Sequence, residues 1–318
     1  MTILVTGGSG FIGSHLLDSL QLLDFDVIVI DDGSTGFPDR SAAQGIPTLV
    51  GSINDVDFVN DTVGSFGFDC IVHLAAQSSL LRSKTDPIGT IKTNVLGTAV
   101  LLEAARKYHV RQVIFASTGA VYDYTADRAT SFIETDLTYP NSVYGASKLA
   151  GEHLVRAWSA ANQRISTILR FGNVFGPRQV PIGENQLIPR AIRGFLGLDA
   201  FAVYGDGKHI RDYVYVTDVV SAIKAAFVLS QPGTFNVGSG KGRSTWEVAL
   251  QIARILDYQE EIPTIEPPGP ENKCIVLETS RAQQALDWTP TVKFPDGLRR
   301  TVSWVLSGEG RSVAENLH

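Results

Sequence analysis

Residues 3–13 read Ile3-Leu4-Val5-Thr6-Gly7-Gly8-Ser9-Gly10-Phe11-Ile12-Gly13. Three consecutive aliphatic residues predict a short strand buried on both faces, and the amphipathic stretch from Phe11 to Leu23 predicts a helix. The glycines lie in the turn between them. Gly8, Gly10 and Gly13 satisfy G-x-G-x-x-G, while Gly7, Gly10 and Gly13 give an equally spaced G-x-x-G-x-x-G. Both patterns meet one need: a tight turn, a backbone able to approach a pyrophosphate, and close packing of helix on strand. The helix N-terminus then offers free N–H groups and a partial positive charge to phosphates. Glycine turns are common in α/β proteins, so the strand–turn–helix context carries the reading.

A second strand, Val27 to Ile30, ends on Asp31. A carboxylate about 20 residues past such a turn accepts hydrogen bonds from an adenosine ribose 2′-hydroxyl and repels a 2′-phosphate. The expected cofactor is therefore NAD rather than NADP; the bland alternative is an Asp-Asp-Gly turn. Further strands are read at Thr48–Val50, Cys70–Val72, Gln112–Phe115 and Ser166–Leu169, with helices over Thr93–Tyr108 and Tyr144–Trp158 between them. Continuous apolar strands alternating with helices imply a doubly wound parallel sheet, an α/β fold of the Rossmann type. Beyond Gly172 the pattern changes to short segments (Asp212–Val216, Phe235–Val237) and helices at Asp218–Leu229, Thr245–Leu256 and Phe294–Leu306. The expected organisation is a dinucleotide domain over 1–172, a mainly substrate-binding α/β subdomain over 173–306 from which the chain crosses back, and a polar tail over 307–318.

Composition narrows the partners. The 318 residues carry a net charge of −6 without any Lys/Arg run, which disfavours nucleic acid and anionic membrane surfaces. Cys70 and Cys274 stand far apart with no zinc-type spacing, so no metal is expected and two reduced thiols fit a cytoplasmic protein. No charged n-region opens the chain and no apolar run approaches a membrane span.

Tyr144 and Lys148 fall four residues apart, on one face of a helix. A phenol is a poor base near neutrality, because its pKa is ~10. Bringing it to about 7 takes roughly 4 kcal/mol of differential stabilisation, which the Lys148 ammonium and an oxidised nicotinamide ring are expected to share. Upstream, the strand through Phe115 runs into Ser117 and Thr118, at the carboxyl end where doubly wound folds bind ligands. Thr118 either bridges Tyr144 to a substrate hydroxyl or satisfies its own backbone.

Taken together, TGGSGFIG (6–13), HLAAQ (73–77), TNVLGT (93–98), YGASK (144–148), LRFGNVFGPR (169–178), YGDGKHIRDYVYVTD (204–218), FNVGSG (235–240) and LDWTP (286–290) resemble the extended short-chain dehydrogenase/reductase family. The resembling branch is that of nucleotide-sugar epimerases and dehydratases, UDP-glucose and UDP-glucuronate 4-epimerases included. The resemblance implies 4-epimerisation of a nucleotide sugar, a UDP-hexose or UDP-hexuronic acid, through a transient 4-keto intermediate, with hydride passing to and from tightly bound NAD. It implies Tyr144 as base, Lys148 on the nicotinamide ribose and Thr118 orienting the proton. It extends the cofactor contacts to Phe11, Ile12, Asp32, Ser34, Gly36, Ser52 and Ile53. Leu74, Ala75, Ala76, Gln77, Asn94 and Ser117 complete that set. Asn173, Arg178, Gln186, Leu187, Val203, Arg211, Tyr213 and Glu271 are implied for the substrate, and a homodimer for the assembly.

Three departures bear on the activity. The dehydratases this chain resembles carry Asp-Glu after the Ser/Thr pair, where Gly119-Ala120 stand here, which favours epimerisation over dehydration. Pro268 stands where relatives carry a diphosphate-binding arginine. Arg178 suits either a substrate carboxylate or a structural role in its loop. A dehydratase, reductase or decarboxylase on a similar substrate is the competing enzyme reading, and a non-catalytic dinucleotide sensor the competing class; Tyr144 and Lys148 argue against the latter.

Overall fold

The structure, a computed structural model, describes residues 1–23, 25–36, 45–123, 131–180, 186–266, 274–307 and 310. Along the chain come β1 (Thr2–Thr6), α1 (Phe11–Gln21), β2 (Asp26–Asp31), β3 (Thr48–Val50), α2 (Val56–Phe66) and β4 (Cys70–His73). Two short helices, α3 (Leu80–Thr85) and α4 (Pro87–Ile91), lead through a π-helical turn (Lys92–Leu96) into α5 (Gly97–Lys107). Then follow β5 (Gln112–Thr118), α6 (Val143–Asn162), β6 (Ile165–Phe171), β7 (Asn173–Phe175), α7 (Leu187–Phe195), β8 (Val203–Tyr204) and β9 (Ile210–Tyr215). The remainder is α8 (Val216–Leu229), β10 (Gly233–Val237), β11 (Gly242–Ser244), α9 (Thr245–Ile255), β12 (Thr264–Ile265), β13 (Cys274–Ile275), α10 (Ser280–Leu286) and α11 (Phe294–Leu306).

Seven strands form one parallel sheet in the order β10-β6-β5-β4-β1-β2-β3. Side chains alternate faces along a strand, and here the alternation divides each strand between two cores. Ile3, Val5, Val29, Val72 and Ile114 point to the face covered by α1, α8 and α10, where Leu16, Leu20, Ile223, Ala226 and Leu286 meet them. Leu4, Ile28, Ile30, Ile71 and Phe115 point the other way, against Val59 and Val63 of α2, Leu101 of α5 and Val155 of α6. This double burial is why the strands read as unbroken apolar runs. A smaller body, built on β7, β9, β11 and β13 with α7, α9 and α11, has its own core around Phe175, Ile192, Tyr213, Ile252, Phe294 and Leu298.

Some local expectations are corrected. Phe235–Val237, expected in the smaller subdomain, belongs to β10, which pairs in parallel with β6 from Gly233↔Thr167 to Val237↔Phe171. The helix expected at 218–229 also serves the large sheet, because its apolar stripe of Val219, Ile223 and Ala226 packs on the first core. A boundary at residue 172 therefore does not separate two packing units. The helix expected over 93–108 is interrupted by the π turn, and α2 and α7 were not anticipated. Among the described residues no helix is long and apolar enough to cross a membrane.

Candidate active site

The connection reverses between β1, which runs on to β2 and β3, and β4, which runs on to β5 and β6. Doubly wound sheets bind ligands at that reversal, outside the carboxyl ends of the strands. A cleft of about 370 Å³ lies there. Its wall contains Gly7, Gly10, Phe11, Ile12 and Gly13 from the first turn, and Asp31, Asp32, Ser34 and Gly36 from the end of β2. Ile53, Leu74, Ala75, Ala76, Gln77, Ser117, Tyr144 and Lys148 continue it.

Packing decides between the two glycine patterns. Gly7 has φ +74°, and a Cβ there would stand 2.6 Å from the Ala75 nitrogen. Gly8 instead faces Val29 in the core and does not line the cleft. The cleft glycines are 7, 10 and 13, the evenly spaced set. No side chain caps the N-terminus of α1, and no acidic residue stands in its first turn. That leaves an anion-attracting helix end facing the cleft, which fits the pyrophosphate of a dinucleotide.

Asp31 makes the turn and lines the cleft at once. Its Oδ2 accepts from the Ser9 N–H and its Oδ1 from the Gly33 N–H, both at 2.9 Å. Burial raises its carboxyl above the usual range, and these two N–H groups pull it back. A carboxylate has room for about four hydrogen bonds, so acceptor capacity remains for a ribose diol.

Two expected cofactor residues lie off the cleft wall. The Ser52 hydroxyl accepts from the Asn54 N–H at 3.2 Å and closes its own turn. Asn94 is buried in the π turn, where it bridges elements instead of facing a ligand. Its Oδ1 accepts from the Gln77 N–H at 2.8 Å, and its Nδ2 donates to the Gln77 carbonyl and to Ser147 Oγ, each at 2.9 Å. The π turn spends one extra residue, and that is how Asn94 points inward while Lys92 and Thr93 reach the cleft.

Tyr144 and Lys148 sit on the first turns of α6, whose N-cap Ser142 accepts from the Gly145 N–H at 3.1 Å. A Cβ at Gly145 would stand 2.5 Å from the Ala120 carbonyl oxygen, so glycine lets the helix close on the end of β5. The approach brings Tyr144 beside Thr118, whose side chain lowers the phenol pKa. Thr118 Oγ1 also accepts from the Ala120 N–H at 3.1 Å, so its local and its site roles coexist. The expected neutral-range phenol is not found in the protein alone: burial pushes Tyr144 up to about 12, against the lowering by Thr118. Burial likewise brings Lys148 down to about 8, against the raising effect of Glu152. Its ammonium lies 4.7 Å from the centre of the Phe115 ring. Desolvation of the charged form dominates at both groups, so a neutral-range phenol needs further positive charge beside it.

Sequence reasoning missed His73. Its Nδ1 and the Thr6 hydroxyl are 2.7 Å apart, and its Nε2 lies 3.0 Å from Thr98 Oγ1. Thr98 donates to the Asn94 carbonyl, so His73 Nε2–H donates to Thr98 and Nδ1 accepts from Thr6. Burial, then Lys148, drives this imidazole down to about 3. Ser78, Ser79, Arg82, Lys92 and Thr93 also line the cleft unannounced. Only Ser79 carried a local signal, as the N-cap of α3 through the Arg82 N–H.

The expected substrate residues divide. Arg178 and Gln186 reach the cleft. Arg178 has φ +68° and pairs with Asp18 of α1 at 2.6 Å, while His15 Nε2 donates to the Pro177 carbonyl at 2.9 Å. One ion pair ties the guanidinium to α1, and the side chain lines the cleft as well. Asn173 opens β7 opposite Tyr213, and Arg211 donates to the Ile210 carbonyl at 2.8 Å. Val203, Tyr213 and, in part, Leu187 are packed in the smaller core rather than on the cleft wall, as apolar side chains there bury more surface. Glu271 and Pro268 lie outside the described residues.

The model of the NAD dependent epimerase/dehydratase family matches residues 3–238. The UDP-glucose 4-epimerase of Mycolicibacterium smegmatis is 34% identical over 311 residues, covering 96% of this chain and 98% of its own. The dTDP-glucose 4,6-dehydratase 1 of Escherichia coli is 31% identical over 339 residues, covering 96% and 93%. Among solved structures, the UDP-glucose 4-epimerase of Thermus thermophilus in complex with NAD superimposes with a TM-score of 0.90 at 36% identity, covering 97% of this chain and 100% of that one. The glycine turn, Asp31 and the Tyr144–Lys148 helix thus stand within a match running through most of the chain, and the protein belongs to the NAD dependent epimerase/dehydratase family.

Proposed function

We propose that this protein is a nucleotide-sugar 4-epimerase acting on a UDP-linked hexose and retaining its NAD through the cycle. One observation carries epimerisation over dehydration. Among the described residues lining the cleft, the carboxylates are Asp31 and Asp32, both at the end of β2. The positions after Thr118 are Gly119 and Ala120. Dehydration needs an acid beside Tyr144 to protonate a departing C6 hydroxyl, and no such group is found among the described residues of this cleft. The pairing of Arg178 with Asp18 favours a neutral hexose over a hexuronic acid.

The chain's own residues divide the work. The turn at Gly7, Gly10 and Gly13 and the open end of α1 hold the pyrophosphate, and Asp31 accepts the ribose 2′-hydroxyl. NAD, when bound, would supply the redox chemistry by accepting a hydride from the sugar and giving it back. Lys148 donates to the nicotinamide ribose and places positive charge beside Tyr144. The Tyr144 oxygen takes the proton from the C4 hydroxyl as the ketone forms and returns it on reduction, with Thr118 holding the phenol in line. The smaller body, with Asn173 and Arg211, receives the nucleotide diphosphate.

Incubation with a panel of UDP- and dTDP-sugars, uronic acids included, followed by proton NMR of the products, tests this. Altered H4 couplings with every other position unchanged are expected for a UDP-hexose. Loss of the C6 oxygen would replace epimerisation by dehydration, and turnover of uronic acids alone would return Arg178 to the substrate.

A further inference from the structure

Beneath the cleft lies a buried carboxylate that the proposed chemistry does not use. Glu152, on α6, is fully buried. Its Oε1 accepts from Ser117 Oγ at 2.5 Å and from Arg170 Nε at 2.9 Å. Its Oε2 accepts from Arg170 Nη2 at 2.8 Å and from Arg156 Nη2 at 2.7 Å. These four bonds fill the acceptor capacity of a carboxylate. Lys148 stands four residues earlier on the same helix, one turn nearer the cleft. A saturated carboxylate acts on that ammonium through space without capturing its N–H groups. Those donors stay available for the cofactor ribose and the phenol.

We propose that Glu152 is a positioning residue for the reaction: clamped by Ser117, Arg170 and Arg156, it holds Lys148 in its charged form inside a desolvated cleft. The ionisable groups that the structure sets beside Lys148 are Glu152, one turn after it on α6, and His73 on β4, with Tyr144 one turn before it. Glu152 is the sole anion in that set. His73 is neutral, so without Glu152 the ammonium faces a neutral imidazole and a phenol. The direction of the shift at Lys148 agrees, since burial lowers it and Glu152 raises it. Arg170 and Arg156 in turn keep Glu152 ionised despite its burial. The same clamp reaches the carboxyl end of β5 through Ser117, next to Thr118.

This role rests on the proposed proton transfer at Tyr144, but its test does not. Lys148 is titrated in the purified holoenzyme by NMR of ¹³Cε-labelled lysine, its signal assigned by its loss in Lys148→Arg. In Glu152→Gln the midpoint should fall by about one pH unit or more, the size expected on removing an adjacent opposite charge. In Arg156→Gln, where the replaced side chain is 38% exposed, the midpoint should rise, because Glu152 loses one of the cations that neutralise it. A purely structural clamp moves neither midpoint, or moves both in one direction, and either result overturns the proposal. Should Glu152→Gln fail to fold, the upward shift in Arg156→Gln decides alone. Because no turnover is read, inactivity toward every nucleotide sugar would refute the proposed reaction and leave the titration result standing.

Discussion

Tyr144 and Lys148 show what a spacing says and what it leaves out. Four residues of separation put both on one helix face, and that much holds. In the protein alone burial holds the phenol high, and the expected lowering by Lys148 together with an oxidised nicotinamide belongs to the cofactor-bound enzyme. Under the proposed mechanism Tyr144→Phe removes the proton-accepting oxygen and leaves the glycine turn, Asp31 and Lys148 in place. C4 inversion should therefore fall by about 10²–10⁴-fold while NAD remains bound, read by product NMR and by cofactor absorbance of the purified variant. His73 gives a prediction on stability. Its folded-state pKa, about 3, lies below its ordinary value, so between those limits the unfolded chain binds one proton more than the folded chain. Stability from this group is complete above about pH 6.5 and is lost as pH falls toward 3. Urea unfolding across roughly pH 4.5–7 should show that slope, and His73→Gln should flatten it by about one proton.

At the scale of elements, α6 does most of the positioning. Ser142 starts the helix, Gly145 lets it close on the end of β5, and the next turns carry Tyr144, Lys148 and Glu152. Ser142→Ala removes the cap and should cost about 1 kcal/mol in urea unfolding. Since the loosened turn bears Tyr144, kcat should fall more than KM rises. The start and periodicity of this helix were legible from sequence, as were α1, α9 and α11. The π turn was not. Its residues, Lys92 to Leu96, look like the first turns of an ordinary helix, and the extra residue is tolerated because Asn94 finds Gln77 and Ser147 across space. α7 was missed for a related reason. A proline at Pro189 breaks the local pattern, although in the first turn its missing N–H costs nothing.

The whole molecule is one interlocked body around the large sheet, with β10, α8 and α10 returning from the second half of the chain to cover it. A fragment of residues 1–172 would leave Ile114, Leu169 and Phe171 without their covers. Each such side chain is worth about 1.5–3 kcal/mol when buried, against a total stability of about 5–15 kcal/mol for a domain. The fragment should show no cooperative unfolding transition by circular dichroism, and a cooperative one would show the second half to be dispensable to the sheet. By itself the sequence determined the parallel sheet, the dinucleotide turn, Asp31 and the Tyr144–Lys148 pair. Those features are local, resting on apolar runs, glycines between strand and helix, and one helical turn. Only the tertiary structure decided which glycines face the cleft, that Arg178 pairs with Asp18, and that Asn94 and Glu152 are held in buried hydrogen bonds. Those outcomes depend on contacts between residues far apart in the chain, where packing and desolvation, not spacing, select the partner.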